Sequence, residues 1–212
     1  MQRREFSLSL LGAGALAGAA GWPVLAQAQG GFKEGSDFRR LSRPVAVDVP
    51  AGQVEVLEFF SYGCIHCFNL EPAIKTWLKQ KPAQVSFRRV PVHFNAAFEP
   101  LQRLYYALEG LNLLDSLHDK AFQAIHVDRV RFNNADAVAD WAVKQGVDRQ
   151  AFLGMYNSFG MAGKLKRALQ LQEAYEVEGT PAMAVAGRYY VPGQADRTLT
   201  ILNALIAEAR KG

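Results

Sequence analysis

The two cysteines of this chain, Cys64 and Cys67, lie three positions apart and directly follow an apolar, β-rich run. That run, Val54–Phe60 (VEVLEFF), predicts a buried central strand. From Cys64 onward apolar residues recur at helical spacing, with a kink predicted at Pro72. Cysteines this close in sequence form a loop too short to hold distant parts of a fold together. The order strand, Cys-x-x-Cys, helix therefore limits the chain to a few folds.

The rest of the chain completes an α/β pattern around this unit. The predicted strands are residues 44–49, 54–60, 85–92, 182–186 and 189–191. Between about 98 and 177 only helical spacing is found, and residues 198–209 predict a closing amphipathic helix. A strand–Cys-x-x-Cys–helix unit followed at a distance by a strand hairpin and a helix is the thioredoxin arrangement. The predicted fold class is α/β, a thioredoxin fold with an inserted all-helical domain.

The first 28 residues have the pattern of an export signal. The charged start MQRRE precedes an apolar run of small residues, and Ala26-Gln27-Ala28 provides the small-x-small pattern accepted by signal peptidase. We expect cleavage near Ala28 and an exported, soluble protein. A retained membrane anchor is the alternative, because the run is long enough to span a bilayer. The pair Arg3-Arg4 is compatible with twin-arginine as well as general export.

These patterns divide the chain into five predicted parts. They are a signal peptide (1–28), a flexible mature N-terminus (29–43), the first part of a thioredoxin-like domain (44–95), a helical insertion (96–177) and the second part of the domain (178–212). The net charge is +4, without a recurring Lys/Arg cluster, so the sequence does not indicate nucleic-acid binding. We expect a monomer.

Redox chemistry is the interpretation that best fits the cysteine pair. In an oxidising compartment most cysteines form structural disulfides between distant segments, which neighbouring cysteines cannot do. A zinc site would need a second Cys-x-x-Cys, and the chain has no further cysteine. An incidental vicinal pair is the simple alternative. We therefore expect a redox-active disulfide, with no cofactor and no metal.

The position of the pair predicts unequal roles for its two sulfurs. Cys64 is expected at the first turn of the helix, where unpaired N–H groups and the helix dipole favour a thiolate. Cys67 follows one turn later and is expected to be more buried, as the resolving thiol. His66 can donate to the Cys64 thiolate or stabilise it as imidazolium, which makes the disulfide a stronger oxidant. Ile65 is expected to present an apolar surface beside the sulfur.

Thr180 and Pro181 precede the late strand. A proline that opens a central strand is explained by a cis peptide bond. In thioredoxin-like folds such a cis-proline loop lies against the Cys-x-x-Cys and pairs with the substrate backbone. We therefore predict Thr180 and Pro181 as substrate-binding residues, with Thr180 also in reach of the thiolate.

Glu58 is unusual because a carboxylate in an apolar strand is costly to bury without a partner. Arg89 on the neighbouring strand is the predicted partner. We interpret Glu58 as a buried acid that relays protons to Cys67. A lone charge at the edge of the sheet is the alternative.

Taken together, these residues resemble the DsbA family of bacterial periplasmic thiol–disulfide oxidants. The resemblance is carried by VLEFFSYGCIHCFNLEP, by the helical insertion and by the TPA that begins at Thr180, and it covers roughly residues 44–210. It implies that the Cys64–Cys67 disulfide is donated to unfolded or reduced exported proteins through a Cys64 mixed disulfide. It also implies reoxidation by a DsbB-like, quinone-linked membrane protein and an apolar groove that binds both partners.

Two positions depart from the family pattern. Ile65 occupies the place of the usual proline; because His66 is kept, oxidising character is expected, with its degree undetermined by the sequence. Arg89 stands where a lysine is usual, and arginine does not release its proton at working pH. A relay through the base is therefore weaker than one through Glu58.

Two other functions fit part of the pattern. One is a disulfide reductase or isomerase of the same compartment, although DsbC-type isomerases need a dimerisation domain and roughly fifteen residues before Pro44 are too few for one. The other is a non-catalytic, chaperone-like module that binds exported peptides in an apolar groove.

Overall fold

The structure is a computed structural model that describes residues 31–211. The predicted signal peptide and its cleavage site lie outside the described residues. In chain order the elements are β1 (Arg39–Arg40), β2 (Val54–Phe60), α1 (Ile65–Gln80), β3 (Val85–Pro91), a short 3-10 helix (Ala96–Phe98), α2 (Glu99–Gly110), α3 (Leu114–His126), α4 (Ala135–Lys144), α5 (Arg149–Tyr156), α6 (Phe159–Ala174), β4 (Ala182–Val185), β5 (Tyr189–Pro192) and α7 (Arg197–Ala209). Within 31–211, no helix combines the length and apolarity needed to cross a membrane.

The five strands form one mixed sheet in the order β1-β5-β4-β2-β3. Strand β2 pairs in parallel with β3 through the crossover helix α1, and antiparallel with β4. All seven residues of β2 are buried, as its continuous apolar run predicts for a strand covered on both faces. The predicted thioredoxin fold with a helical insertion is confirmed, because the 3-10 helix and α2–α6 lie between β3 and β4.

Two hydrophobic clusters cover the two faces of the sheet. Leu57 and Phe59 pack with the inserted helices, whereas Val54 and Val56 pack with α1 and α7. This alternation follows from the period of two in strand side chains. The inserted helices therefore share a continuous core with the central strand and do not form a separate lobe around it.

The predicted edge strand at 44–49 is wrong. Those residues form no strand, and the edge of the sheet is Arg39–Arg40, which pairs antiparallel with Tyr189 and Tyr190. The 44–49 segment instead runs past Gly187, whose carbonyl accepts from the Val45 amide at 2.8 Å. A Cβ at Gly187 would lie 2.0 Å from the Val45 carbonyl oxygen, so the contact is a close crossing of two loops. The alternation of apolar and polar residues in 44–49 is therefore not accompanied by pairing with a neighbouring strand.

The segment expected to be a flexible N-terminus, 29–43, also differs from the expectation where the structure describes it. Phe38 and Leu41 are buried in the two clusters. Asp37 accepts from the Lys33 amide and from Arg197, which ties the segment to the start of α7. Apolar burial and these polar contacts hold the segment against the sheet.

Candidate active site

Cys64 and Cys67 lie at the start of α1 and are strongly unequal in exposure. Cys64 is the N-cap residue with extended backbone and is half-buried, whereas Cys67, one turn later, is fully buried. The two sulfurs are not bonded to each other, so the structure shows the dithiol form. When Cys64 carries its proton, its thiol donates to the carbonyl oxygen of Thr180 across 3.3 Å. The predicted difference in burial is confirmed.

The surroundings shift the acidities of the two thiols in opposite directions. A hydrogen bond from Cys67, then hydrogen bonds from the Thr180 side chain and from the backbone N–H groups of Cys67 and His66, lower the pKa of Cys64 to about 5 against the opposing effect of burial. Burial, followed by the hydrogen bond and charge of Cys64, raises the pKa of Cys67 far above its usual value. The first sulfur is therefore a thiolate at neutral pH, and the second holds its proton.

The described contact of His66 with the Cys64 thiolate is made by its backbone N–H, whereas the prediction concerned its imidazole. Its imidazole is exposed, and its contribution to the Cys64 thiolate is a hydrogen bond from its backbone N–H. The reason is its place in the first helical turn, where free N–H groups point back to the N-cap. The side chain projects instead into a groove that it lines with Asn69. Ile65 is 47% exposed, so it presents an apolar surface next to Cys64, as predicted.

The Thr180–Pro181 peptide bond is cis, as predicted. Pro181 is buried and directly precedes β4, which pairs with the central strand β2. Thr180 and Pro181 line the same groove as His66, a cavity of about 710 Å³. Its walls also include Phe38 and Tyr190. The structure thus brings the predicted substrate-binding residues and the cysteine pair to one side of the molecule.

Glu58 is fully buried, and the register of the sheet sets it opposite Arg89. The Nε atom of Arg89 lies 2.9 Å from Oε2 of Glu58, which confirms the predicted pairing. The hydrogen bonds of the same guanidinium go to Glu71, where Nη2 donates to Oε1 at 3.1 Å and to Oε2 at 2.9 Å. One arginine therefore faces two carboxylates.

The two carboxylates differ in proton affinity. Burial, reinforced by the charge of Glu71 and opposed by Arg89, raises the pKa of Glu58 to about 8. Glu71 is also buried, yet the hydrogen bond from His118 and the charge of Arg89 outweigh burial and lower its pKa. At neutral pH Glu58 is therefore a protonated acid, and Glu71 is a carboxylate.

Sequence reasoning missed Glu71 and His118. A signal for Glu71 was present, because it follows Cys67 by four residues and so lies on the same face of α1. No comparable signal marks His118, which comes from α3, 47 positions away from Glu71. Only packing of the insertion against α1 brings the two together.

Comparisons with known proteins agree with this site and fold. A family model described as DSBA-like thioredoxin domain matches residues 85–205. The thiol:disulfide interchange protein DsbA of Bordetella parapertussis is 41% identical over 216 residues, covering 100% of both chains. DsbA of Pseudomonas aeruginosa strain PAO1 is 35% identical, covering 84% of this chain and 86% of its own.

Solved structures give the same result. The crystal structure of Pseudomonas aeruginosa DsbA matches with a TM-score of 0.81 at 35% identity, over 85% of this chain and 95% of that one. NmDsbA1 from Neisseria meningitidis matches with a TM-score of 0.75 at 26% identity, over 86% of this chain and 96% of that one. Because sequence and fold agree over nearly the whole described chain, this protein belongs to the DsbA family of thiol:disulfide interchange proteins and is a protein disulfide oxidoreductase.

Proposed function

We propose that this enzyme acts as an oxidant, which donates the Cys64–Cys67 disulfide to newly exported proteins and so assists their oxidative folding. The observation that carries the proposal is the opposite ionisation of the two sulfurs, with Cys64 as thiolate and Cys67 as thiol. A stabilised thiolate favours the reduced dithiol, and this makes the disulfide a strong acceptor of electrons.

The reaction takes place in two exchanges. A substrate thiolate attacks the exposed sulfur of Cys64, the Cys64–Cys67 bond breaks, and the Cys67 thiolate leaves. Cys67 takes up a proton, for which Glu58 is the nearby buried acid. A second substrate thiolate then attacks the substrate sulfur of the mixed disulfide and releases the Cys64 thiolate. Two electrons pass from two substrate thiols to the enzyme; one proton remains on Cys67, and the other is released.

The surrounding residues hold the substrate and tune the sulfur. Thr180 and Pro181 form the wall of the groove beside Cys64 and present backbone groups to an extended peptide. Ile65, the residue after Cys64, adds an exposed apolar surface. His66 supplies its backbone N–H to the thiolate and its imidazole to the groove. Because the electrons reside on the two sulfurs, the reaction needs no further cofactor and no metal.

The cellular setting completes the proposal. Residues 1–28 carry the pattern of a cleaved export signal, and the relatives bear the name thiol:disulfide interchange protein DsbA. We place the mature enzyme in the periplasm as a monomer, with unfolded or reduced exported proteins as substrates. A DsbB-like, quinone-linked membrane protein would reoxidise the dithiol through attack by the Cys64 thiolate.

The deciding experiment is the equilibrium of the Cys64–Cys67 disulfide with glutathione. We expect a potential well above that of thioredoxin, about −270 mV. A value close to thioredoxin's would contradict the oxidant and favour a reductase.

A further inference from the structure

A chain of buried polar side chains connects the helical insertion to the surroundings of Cys67. The hydroxyl of Tyr62 lies 2.8 Å from Nδ1 of His118, and Nε2 of His118 lies 3.1 Å from Oε1 of Glu71. Glu71 binds Arg89, which in turn contacts Glu58. Tyr62, Glu58, Glu71 and His118 are each less than 7% exposed. These contacts join α3 of the insertion to α1, β2 and β3 of the thioredoxin part.

The hydrogen-bonding partners determine which nitrogen of His118 carries the proton. Glu71 is a carboxylate and can only accept, so Nε2 of His118 must be the N–H donor. Burial raises the pKa of Tyr62, which keeps its O–H, and burial lowers the pKa of His118, which keeps the ring neutral. The Tyr62 hydroxyl therefore donates to Nδ1, and Nε2–H donates to Glu71.

Arg89 supplies one positive charge to two carboxylates, so the pair retains one proton when the cluster is neutral. The other titratable or charged groups that act on this cluster are Cys67 and Lys75 of α1, Tyr62 after β2, Tyr105 of α2 and His118 of α3. Glu71 receives three hydrogen bonds, two from Arg89 and one from His118, whereas the described polar contact of Glu58 is the one with Nε of Arg89 at 2.9 Å. These contacts favour the proton on Glu58 and the charge on Glu71.

On the basis of the oxidant function proposed above, we propose that His118 is a positioning residue for thiol–disulfide exchange. Its Nε2–H holds Glu71 ionised against Arg89, so the proton shared by the two carboxylates stays on Glu58, where it serves Cys67. Without this donor Glu71 becomes the better proton site. The guanidinium then turns its charge toward Glu58, which ionises and no longer supplies a proton to the leaving Cys67 thiolate.

The test follows the step in which Cys67 leaves. A peptide with a single cysteine attacks the oxidised protein, and the initial rate of mixed-disulfide formation is measured by acid quench and mass spectrometry. The rate is divided by the ionised fraction of the peptide thiol at each pH. For the unaltered protein we expect this corrected rate to fall with a midpoint near the pKa of Glu58, about 8, and Glu58→Gln to remove the inflection.

The informative variant is His118→Phe. Phe60, Tyr62, Tyr105 and Phe122 surround the His118 ring at centroid distances of 5.2–6.3 Å, so a phenyl ring suits the site in shape. We expect the midpoint to fall by about one pH unit or more, with a rate at pH 7 about two- to tenfold lower. An unmoved midpoint in a folded His118→Phe protein overturns the inference.

Two further variants separate the electrostatic role from a structural one. His118→Gln keeps an N–H donor for Glu71 and should restore most of the original midpoint. Glu71→Gln removes the charge directly and should lower the midpoint as His118→Phe does. The protein that carries both substitutions should show no further shift of the midpoint. If His118→Phe fails to fold, an unchanged midpoint in Glu71→Gln overturns the inference.

The matched control is His93→Gln. The described hydrogen bonds of His93 are made by its backbone with Gln172, so its imidazole has no part in the cluster. The control should leave the midpoint unchanged. If the unaltered protein oxidises no peptide thiol, the proposed function fails; if it does and only the His118 and Glu71 shifts are missing, this inference alone fails.

Discussion

Glu71 of the active-site helix and His118 of the inserted helix α3 form a buried hydrogen bond, with 3.1 Å between Oε1 and Nε2. Glu71 lies one turn after Cys67, so the bond ties the insertion to the helix that carries both cysteines. A second histidine of α3 strengthens this connection, because Nε2 of His126 lies 2.8 Å from the carbonyl oxygen of Tyr62. The insertion thus contacts both the turn that precedes Cys64 and the helix that follows it.

Replacing either cysteine should stop catalysis at a different step. Cys64→Ser should reduce oxidation of a reduced, unfolded substrate to the uncatalysed rate, because the attacked sulfur is gone. Cys67→Ser should leave a reactive Cys64 that accumulates mixed disulfides, since the resolving thiol is missing. Mass spectrometry of trapped adducts distinguishes the two. Peptide binding retained by Cys64→Ser together with full folding-assistance activity would favour the chaperone-like module instead.

Thr180→Val should raise the pKa of Cys64 from about 5, because the hydrogen bond from the Thr180 side chain to the thiolate is lost while the Thr180 carbonyl stays in place. The expected shift is about one pH unit, and the disulfide should become less oxidising in parallel. The thiolate absorbance of the reduced protein, recorded across pH, measures the change. Thr180→Ser, which keeps a hydroxyl, is the matched control and should move the midpoint little.

The reduced form should gain stability over the oxidised form as the pH rises. The pKa of Cys64 is lowered from 9.0 to about 5, so this thiol contributes stability that is fully present above pH 9 and is lost as the pH falls through 5. The oxidised form has no titrating thiol. Urea unfolding of both forms between pH 5 and pH 9 should therefore show a widening difference in unfolding free energy in favour of the dithiol. A constant difference would contradict the stabilised thiolate.

Glu58→Gln should stabilise the fold at neutral and alkaline pH. The pKa of Glu58 is raised from 4.5 in the unfolded chain to about 8 in the folded protein. The free energy of unfolding is therefore unaffected by this group below pH 4.5, and it falls as the pH rises from there through 8. A glutamine avoids the ionised, buried state, and we expect about 1–3 kcal/mol more unfolding free energy at pH 8. At pH 4 both side chains are neutral, and the gain should be much smaller. An equal gain in unfolding free energy at pH 4 and at pH 8 would indicate that packing, and not ionisation, causes it.

Much of the fold could be predicted because its patterns are local. The apolar run of β2, the Cys-x-x-Cys at a helix start and the helical spacing from 98 to 177 each depend on neighbouring residues, and the structure bears them out. The prediction of an edge strand at 44–49 was wrong because strand pairing at the edge of a sheet is not a local property. Whether 44–49 or Arg39–Arg40 pairs with β5 depends on which backbone reaches its edge, and local polarity does not carry that information.

The sequence by itself determined the redox pair, its place at a helix start and the proline that faces it, since spacing and residue type suffice for these. Only the tertiary structure decided how the pair is tuned. It brought the backbone N–H of His66 to the Cys64 thiolate and placed His66 in the lining of the groove. It also gave Arg89 two carboxylates and brought His118 onto one of them. The physical reason is that proton affinity in a core depends on which charges and donors meet there, and those come from elements far apart in the chain.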